Sequence, residues 1–364
     1  MKAIITAGGR GTRLRPITHT FNKHLIPIAN KPIIEYAIEA VRDSGISDIG
    51  VIYNEGSRSS GLDELREYLK DGERFNVKIT YIKQKEPIGL ADCIRVSKDF
   101  IGDDKFVFYL GDNMLASGIK EFKEDFEKDT ESTCYLLLSQ VPDPQRFGVP
   151  VFDKNKKLVR IEEKPENPQT DLAVTGIYFY SPEVFRAFEG KDQIHPSKRG
   201  ELEVSDLHQY LLDHNYKIKT YNVSGWWKDT GKLNDLLSAN RLILEKHHIY
   251  KKGGSVTDST VEGDVDIDNG AIVSNSLIRG PVVIGKDTKI LNSYIGPFTS
   301  IDNGCNITGS EIENSIILEN TTILDVPYRI DSSLIGKDVK VIKKDKRPKT
   351  ISLMIGDHSE IRLV

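Results

Sequence analysis

Apolar and polar positions follow two periods along the first two-thirds of the chain. Lys2-Ala3-Ile4-Ile5-Thr6 is a short apolar, β-branched run, the pattern of a buried strand, and it stops at the paired glycines Gly8 and Gly9. From Ile33 to Val41 apolar side chains return at helical spacing, and Asp48 to Tyr53 reads as the next strand. Leu62 to Leu69 is a short amphipathic helix, Val77 to Ile82 a strand, Leu90 to Phe100 a helix, and Phe106 to Leu110 a continuous apolar strand. This alternation predicts a mostly parallel, Rossmann-like sheet with helices on both faces, because parallel neighbours need a crossover long enough to hold a helix. Ligands in such sheets gather at the carboxyl ends of strands. The glycine loop after the first strand, Gly111-Asp112-Asn113, and the turn from Gln84 to Leu90 all fall at such ends.

Near residue 240 the pattern changes. Leu242 to Tyr250 finishes a helix, and Lys251-Lys252-Gly253-Gly254 reads as a linker. Beyond it Val261, Ile267, Ile272, Ile278, Ile284, Ile290, Ile295, Ile301, Ile307, Ile312, Ile317, Ile323, Ile330 and Ile335 recur at close to every sixth residue, with Gly and Asn between them. A hexapeptide period with small, turn-prone spacers predicts a parallel β-helix whose inward Ile and Val stack coil upon coil. The expected organisation is an α/β domain over 1–240, a helix end and linker over 241–254, and a β-helix over 255–364. Thr350 to Val364 is expected to cap it as a pair of strands.

Composition narrows the function. A chain of 364 residues exceeds the usual single core, which agrees with two domains. The net charge of −4 argues against nonspecific nucleic-acid binding, so basic clusters are expected to be local and ligand-directed. Cys93, Cys134 and Cys305 are few and widely spaced, which suggests neither a disulfide framework nor a zinc site. With no signal-peptide pattern and no long apolar run, a cytoplasmic setting without membrane contact is expected.

The glycine turn carries the first chemistry. Gly8, Gly9 and Gly11 let bare amides approach a ligand, and such a nest of N–H groups binds anions, most often phosphate. Arg13 adds a planar charged fork, and Lys23 a point charge one loop later. Gly9-Arg10-Gly11-Thr12-Arg13-Leu14 ends in Leu14, so the dinucleotide fingerprint is not met, and the Gly-Lys-Ser/Thr of a P-loop is absent.

Ala7-Gly8-Gly9-Arg10-Gly11-Thr12-Arg13-Leu14-Arg15-Pro16, Asn22-Lys23, Leu110-Gly111-Asp112-Asn113, Glu162-Glu163-Lys164-Pro165 and Asp229-Thr230-Gly231 together resemble the sugar-1-phosphate nucleotidylyltransferases. Arg146-Phe147-Gly148-Val149, Val174-Thr175-Gly176-Ile177-Tyr178, Arg199-Gly200-Glu201-Leu202-Glu203 and Tyr294-Ile295-Gly296-Pro297-Phe298-Thr299 extend the likeness to the long-form thymidylyltransferases, which carry a left-handed β-helix. The resemblance implies attack of a sugar-1-phosphate oxygen on the α-phosphorus of a nucleoside triphosphate, with dTTP and α-D-glucose 1-phosphate giving dTDP-glucose and pyrophosphate, the entry to dTDP-deoxysugars. Arg13 and Lys23 then bind the triphosphate, with Gly8, Gly9, Gly11 and Thr12 around it, and Lys164 holds the sugar phosphate. Asp112 and Asp229 are the implied Mg²⁺ ligands, a sparse carboxylate set of the kind that ion accepts. Gln84 and Gly89 are implied to read the base, and Asn113, Gly148, Glu163, Val174 and Gly176 to meet the sugar. The attacking oxygen is already anionic, so no catalytic histidine is assigned. One departure stands out: where the family usually has a larger polar residue such as His or Gln, this chain has Asp92, whose charge is expected to repel phosphate.

Two other readings stay open. One is a uridylyl- or N-acetylglucosamine-1-phosphate-specific relative; only its bifunctional form, with a β-helix that transfers acetyl groups, needs a histidine in the solenoid, and none lies between Ser255 and Ile342. A sugar-nucleotide sensor without activity should lack Asp112, Arg13 or Lys164. The solenoid is accordingly expected to be structural or to assemble identical chains into an oligomer.

Overall fold

A computed structural model describes residues 1–9, 11–54, 62–246, 253–343 and 352–362. The last residues of the expected helix end (247–250), the first half of the expected 251–254 linker and the ends of the expected capping strands lie outside these residues. Two compact units result: one comprises 1–10, 20–24 and 33–229, and the other 11–19, 25–32 and 230–364.

In the first unit the two periods separate as read. Strands β1 (Lys2–Thr6), β2 (Asp48–Asn54), β3 (Lys78–Gln84) and β4 (Phe106–Leu110) alternate with helices α1 (Ile33–Asp43), α2 (Leu62–Leu69) and α3 (Leu90–Val96). After β5 (Asn113–Leu115) and α4 (Lys120–Lys128) come β6 (Ser132–Gln140), β7 (Gly148–Phe152), β8 (Leu158–Glu163) and β9 (Leu172–Tyr180). Helix α5 (Val204–Asp213), β10 (Lys217–Asn222) and β11 (Trp227–Asp229) complete the unit. The central sheet has seven strands in the order β10-β6-β9-β4-β1-β2-β3. Every pair is parallel except those of β9, which runs antiparallel to both β4 and β6. Ile4, Phe106, Phe108, Leu136 and Tyr180 are fully buried in one hydrophobic core on this sheet. Continuous apolar strands are the consequence of burial on both faces.

The expected helix from Leu90 to Phe100 is broken. It ends at Val96, and a separate single turn occupies Lys98–Ile101. Ser97 is the cause: its hydroxyl and its N–H both bond the Ile94 carbonyl, at 2.6 and 3.0 Å, and so compete with the helical ladder.

The second unit is a left-handed parallel β-helix with three sheets of six, five and five short strands. Ser255–Thr257 pairs with Ile272–Ser274, which pairs with Lys289–Leu291, and the ladder continues to Lys340–Ile342. Ile267, Ile278, Ile284, Ile290, Ile295, Ile301, Ile307, Ile312, Ile317 and Ile323 are fully buried in its interior. One expected core position is corrected. Ile272 is 38% exposed, and its neighbour Val273 points inward. The register pairs Val273 with Ile290, and successive strand residues face opposite sides, so only one of the two can join the stack. At one corner a serine ladder tightens the coils: Ser276, Ser293 and Ser310 each donate their N–H to the hydroxyl of Ser259, Ser276 and Ser293 respectively, at 3.0–3.3 Å.

Helix α6 (Leu233–Lys246) and two N-terminal segments belong to this unit. The buried Asn240 accepts from the Ala29 N–H at 2.8 Å and donates to the Phe298 carbonyl at 2.9 Å, while Asn30 donates to the Ile301 carbonyl at 2.6 Å. The tail expectation is also corrected. Residues 352–362 contain no strand, because their backbone finds no ladder partner there, and Met354 is 98% exposed.

Candidate active site

Parallel pairing of β1 with β4 sets Thr6 beside Leu110, so the loops that follow both strands emerge side by side. The Gly111 N–H donates to the Thr6 carbonyl at 3.1 Å and the Ala7 N–H to the Ile52 carbonyl at 2.8 Å, which anchors the start of the glycine turn to its neighbours. Asn54, at the carboxyl end of β2, donates its amide to the Gly8 carbonyl at 2.9 Å. The stem of Lys23 lies across Gly9: a methyl group there would come within 2.8 Å of its Cε. Glycine keeps that path open.

Lys23 bonds the carboxylate of Asp112. Burial pushes the Asp112 carboxyl up, but the Lys23 ammonium and hydrogen bonds from Lys23 and Asn113 outweigh it and hold the group well below the usual carboxylate range. Asp112 is therefore an anion at neutral pH. His24, beside the pair, is fully buried, and burial, helped by the Lys23 charge against the opposing Asp112, lowers its pKa to about 3. Asn22 holds the loop, with its oxygen 2.9 Å from both the N–H and the Nδ1 of His24.

Asn113 is a hub. It is 2% exposed, and its oxygen accepts from the Gly176 N–H at 3.1 Å and from Trp227 Nε1 at 2.7 Å. Its amide nitrogen donates to Asp112 Oδ1 at 3.0 Å. Three distant segments thereby meet at one side chain. Antiparallel pairing of β5 with β11 sets Asp229 directly across from Asn113, one residue from Asp112. Among the described residues no group of three or more His, Cys, Asp or Glu side chains is arranged to hold a metal ion.

A second cluster forms where β7 and β8 pair. Gly148 faces Glu163 in register, and a methyl on Gly148 would lie 3.6 Å from Glu163 Oε2 and 3.9 Å from Val174 Cβ. Lys164 follows with left-handed backbone (φ 47°), its N–H on the Phe147 carbonyl at 3.0 Å and its ammonium on Glu163 Oε1 at 2.7 Å. Val174 and Gly176 share strand β9, which joins this cluster to the Asn113 hub.

Gln84 ends β3 and is buried, with its amide on the Gly89 carbonyl and on Asp92. Gly89 has φ +116° and ψ 169°, and a methyl there would sit 2.3 Å from the Leu202 carbonyl oxygen, so no other residue fits. The expected repulsion by Asp92 does not arise. Asp92 is 2% exposed, and Arg95 and Gln84 hold its two oxygens, so its charge is neutralised where it stands.

The first unit thus brings together Gly8, Gly9, Lys23, Asp112, Asn113, Gly176 and Asp229, and joins them to Gly148, Glu163, Lys164 and Val174. Gly11, Thr12 and Arg13 lie on the segment that belongs to the second unit, where the Thr18 hydroxyl donates to the Gly11 carbonyl at 2.7 Å. Sequence reasoning passed over Asn54, Trp227 and Arg95. A polar residue at the end of a buried strand was the available signal for Asn54; nothing local marks the other two.

A profile described as nucleotidyl transferase matches residues 2–246. The chain is 42% identical over 363 residues to a glucose-1-phosphate thymidylyltransferase of Streptomyces griseus, spanning 100% of this chain and 99% of that one. It is 41% identical over 366 residues to the low-salt glycan biosynthesis nucleotidyltransferase of Haloferax volcanii, spanning 100% of both. Among solved structures, a Bacillus anthracis protein described as a glucose-1-phosphate thymidylyltransferase superposes with a TM-score of 0.60 at 38% identity, covering 66% of this chain and 94% of that one.

Proposed function

This chain belongs to the nucleotidyl transferase family, and from that premise we propose that it joins dTTP to α-D-glucose 1-phosphate, forming dTDP-glucose and releasing pyrophosphate. The observation that carries the reading is the meeting of the glycine turn, Lys23 and an ionised Asp112 at adjacent strand ends. In this reading a phosphate oxygen of the sugar phosphate forms a bond to the α-phosphorus as the bond to the bridging oxygen of pyrophosphate breaks. The attacking oxygen is anionic, so no proton has to be removed, and the neutral, buried His24 agrees with that.

Lys23 neutralises the triphosphate and the charge that grows on the leaving pyrophosphate, while the amides of Gly8 and Gly9 cradle it. Lys164 holds the phosphate of the incoming sugar against the first anion, which sets the in-line geometry. Glu163, the remaining amide hydrogen of Asn113 and the backbone at Gly148, Val174 and Gly176 meet the sugar hydroxyls, and Gln84 with Gly89 reads the base.

The acidic side chains suit Mg²⁺. Asp112 is kept ionised, and strand pairing about 4.8 Å wide places Asp229 one register position away. Among the described residues these two hard carboxylates are joined by no cluster of three or more possible ligands, a sparse set of the kind Mg²⁺ accepts when it keeps water and phosphate oxygens. Mg²⁺ held by Asp112 and Asp229 would supply charge neutralisation on the phosphate oxygens. A cytoplasmic setting fits three free, buried cysteines. An oligomer of identical chains completes the reading, with the β-helix as its assembly surface.

The test is an assay of pyrophosphate released from glucose 1-phosphate and Mg²⁺ with dTTP, UTP, GTP or ATP in turn. Release with dTTP is expected; preference for GTP or ATP overturns the base assignment, and no release with any of the four overturns the enzyme.

A further inference from the structure

The amide nitrogen of Gln84 has two hydrogens. One goes to the Gly89 carbonyl at 3.1 Å and the other to Asp92 Oδ2 at 2.8 Å. The second oxygen of Asp92 accepts from both Nε and Nη2 of Arg95, at 2.8 and 2.5 Å. A carbonyl and a carboxylate are acceptors only, so an inverted amide would set its oxygen against two other oxygens and lose both bonds. The amide can stand only one way. Its oxygen has no hydrogen-bond partner among the described residues, and neither has the Gly89 N–H.

We propose that Asp92, braced by Arg95, is a positioning residue that locks the Gln84 amide with its oxygen free for the base, so that the site accepts only a pyrimidine whose ring N3 carries a hydrogen. This rests on the functional reading above, in which Gln84 and Gly89 face the base. Thymine and uracil present an N–H flanked by carbonyls, which an oxygen acceptor beside an N–H donor complements. Cytosine presents a bare ring nitrogen there, and two lone pairs would face each other. The two nucleotides have nearly the same size, so the discrimination comes from hydrogen bonding rather than shape. A residue read in isolation as an unwelcome charge becomes the element that makes the base edge single-valued.

The experiment compares dTTP with dCTP on wild type, Asp92→Ala, Asp92→Asn and Arg95→Ala, by kcat/KM with glucose 1-phosphate and by the dissociation constants of the two nucleotides. Wild type should favour dTTP by at least about a hundredfold, since a site built to bond one polar edge rejects its mismatch strongly. Asp92→Ala, which lets the amide turn, should shrink that ratio by about tenfold. Asp92→Asn keeps an acceptor oxygen and should restore most of it, whereas Asp92→Leu, which fills the space without an acceptor, should not, a contrast that packing alone does not produce. Should Asp92→Ala fail to fold, Arg95→Ala, at a half-exposed side chain, loosens the same carboxylate and should move the ratio in the same direction. An unchanged ratio in Asp92→Ala or, in its place, Arg95→Ala, or a wild type indifferent to the two bases, overturns the clamp. A wild type that binds dTTP over dCTP but turns over neither overturns the transferase reading and leaves the clamp standing.

Discussion

Lys23 and Asp112 stand 89 positions apart in the chain and share an ion pair whose side chains are only 16% and 13% exposed. Such a pair is costly to break from one side, because the survivor keeps its charge without its partner. Lys23→Ala is expected to destabilise the first unit by about 3–5 kcal/mol, read by chemical denaturation. It should also slow pyrophosphate release by about a hundredfold or more, the scale of one lost transition-state donor. Full turnover in the variant would take Lys23 out of the phosphate path.

Asn113 connects rather than merely occupies its place. Asn113→Ala leaves the Gly176 N–H and the Trp227 indole N–H without their acceptor in a buried setting. About 2–4 kcal/mol of stability should go with them. Trp227 reports the change directly: its fluorescence should shift as the indole loses its bond, and KM for the sugar phosphate should rise more than KM for the nucleotide. An unaltered emission spectrum contradicts the hub.

Gly89 and Gly102 both have positive φ, +116° and +60°, yet their surroundings differ. A methyl at Gly89 meets the Leu202 carbonyl at 2.3 Å, whereas one at Gly102 meets nothing within 4 Å. Gly89→Ala should therefore displace the turn beside Gln84 and raise KM for dTTP by about tenfold or more, with a strain cost of about 1–3 kcal/mol. Gly102→Ala, strained by its backbone alone (φ 60°, ψ −128°), should also cost about 1–3 kcal/mol of stability but leave nucleotide affinity alone. Equal effects of the two on KM would refute the role given to Gly89.

Acid should weaken the fold early. Burial lowers His208 to about 3, and burial with the nearby Lys23 charge lowers His24 to about 3, both from an ordinary 6.5. Between these limits the unfolded chain binds protons that the folded chain refuses, so stability is complete above about pH 6.5 and falls as pH drops toward 3. Each histidine contributes a slope of about 1.4 kcal/mol per pH unit once well below 6.5. The melting temperature should decline from pH 7 to pH 5, and His208→Gln, which keeps a partner for the Tyr180 hydroxyl, should flatten the decline. A melting temperature independent of pH across that range would show that neither imidazole is held neutral.

The periods along the chain were enough to place most elements, since each reflects backbone geometry that neighbours in sequence decide. They failed where a side chain intervened. Ser97 cut a helix that apolar spacing carried through to Phe100, because its hydroxyl took a carbonyl from the ladder. Ile272 matched the hexapeptide count, yet the strand register gave the interior to Val273. Asp92 looked like an intruding charge because Arg95 and Gln84 were not visible as its partners.

From its sequence alone this chain determined an alternating α/β unit, a glycine turn at a strand end and a solenoid with isoleucine at nearly every sixth place, all local consequences of spacing and backbone freedom. Only the tertiary structure decided that Lys23 holds Asp112, that Asn113 gathers Gly176 and Trp227, and that Gly11 to His19 belongs with the β-helix rather than with the sheet. Those pairings join residues far apart in the chain. They exist because the folded backbone carries donors and acceptors into reach, and burial then leaves each of them no better partner.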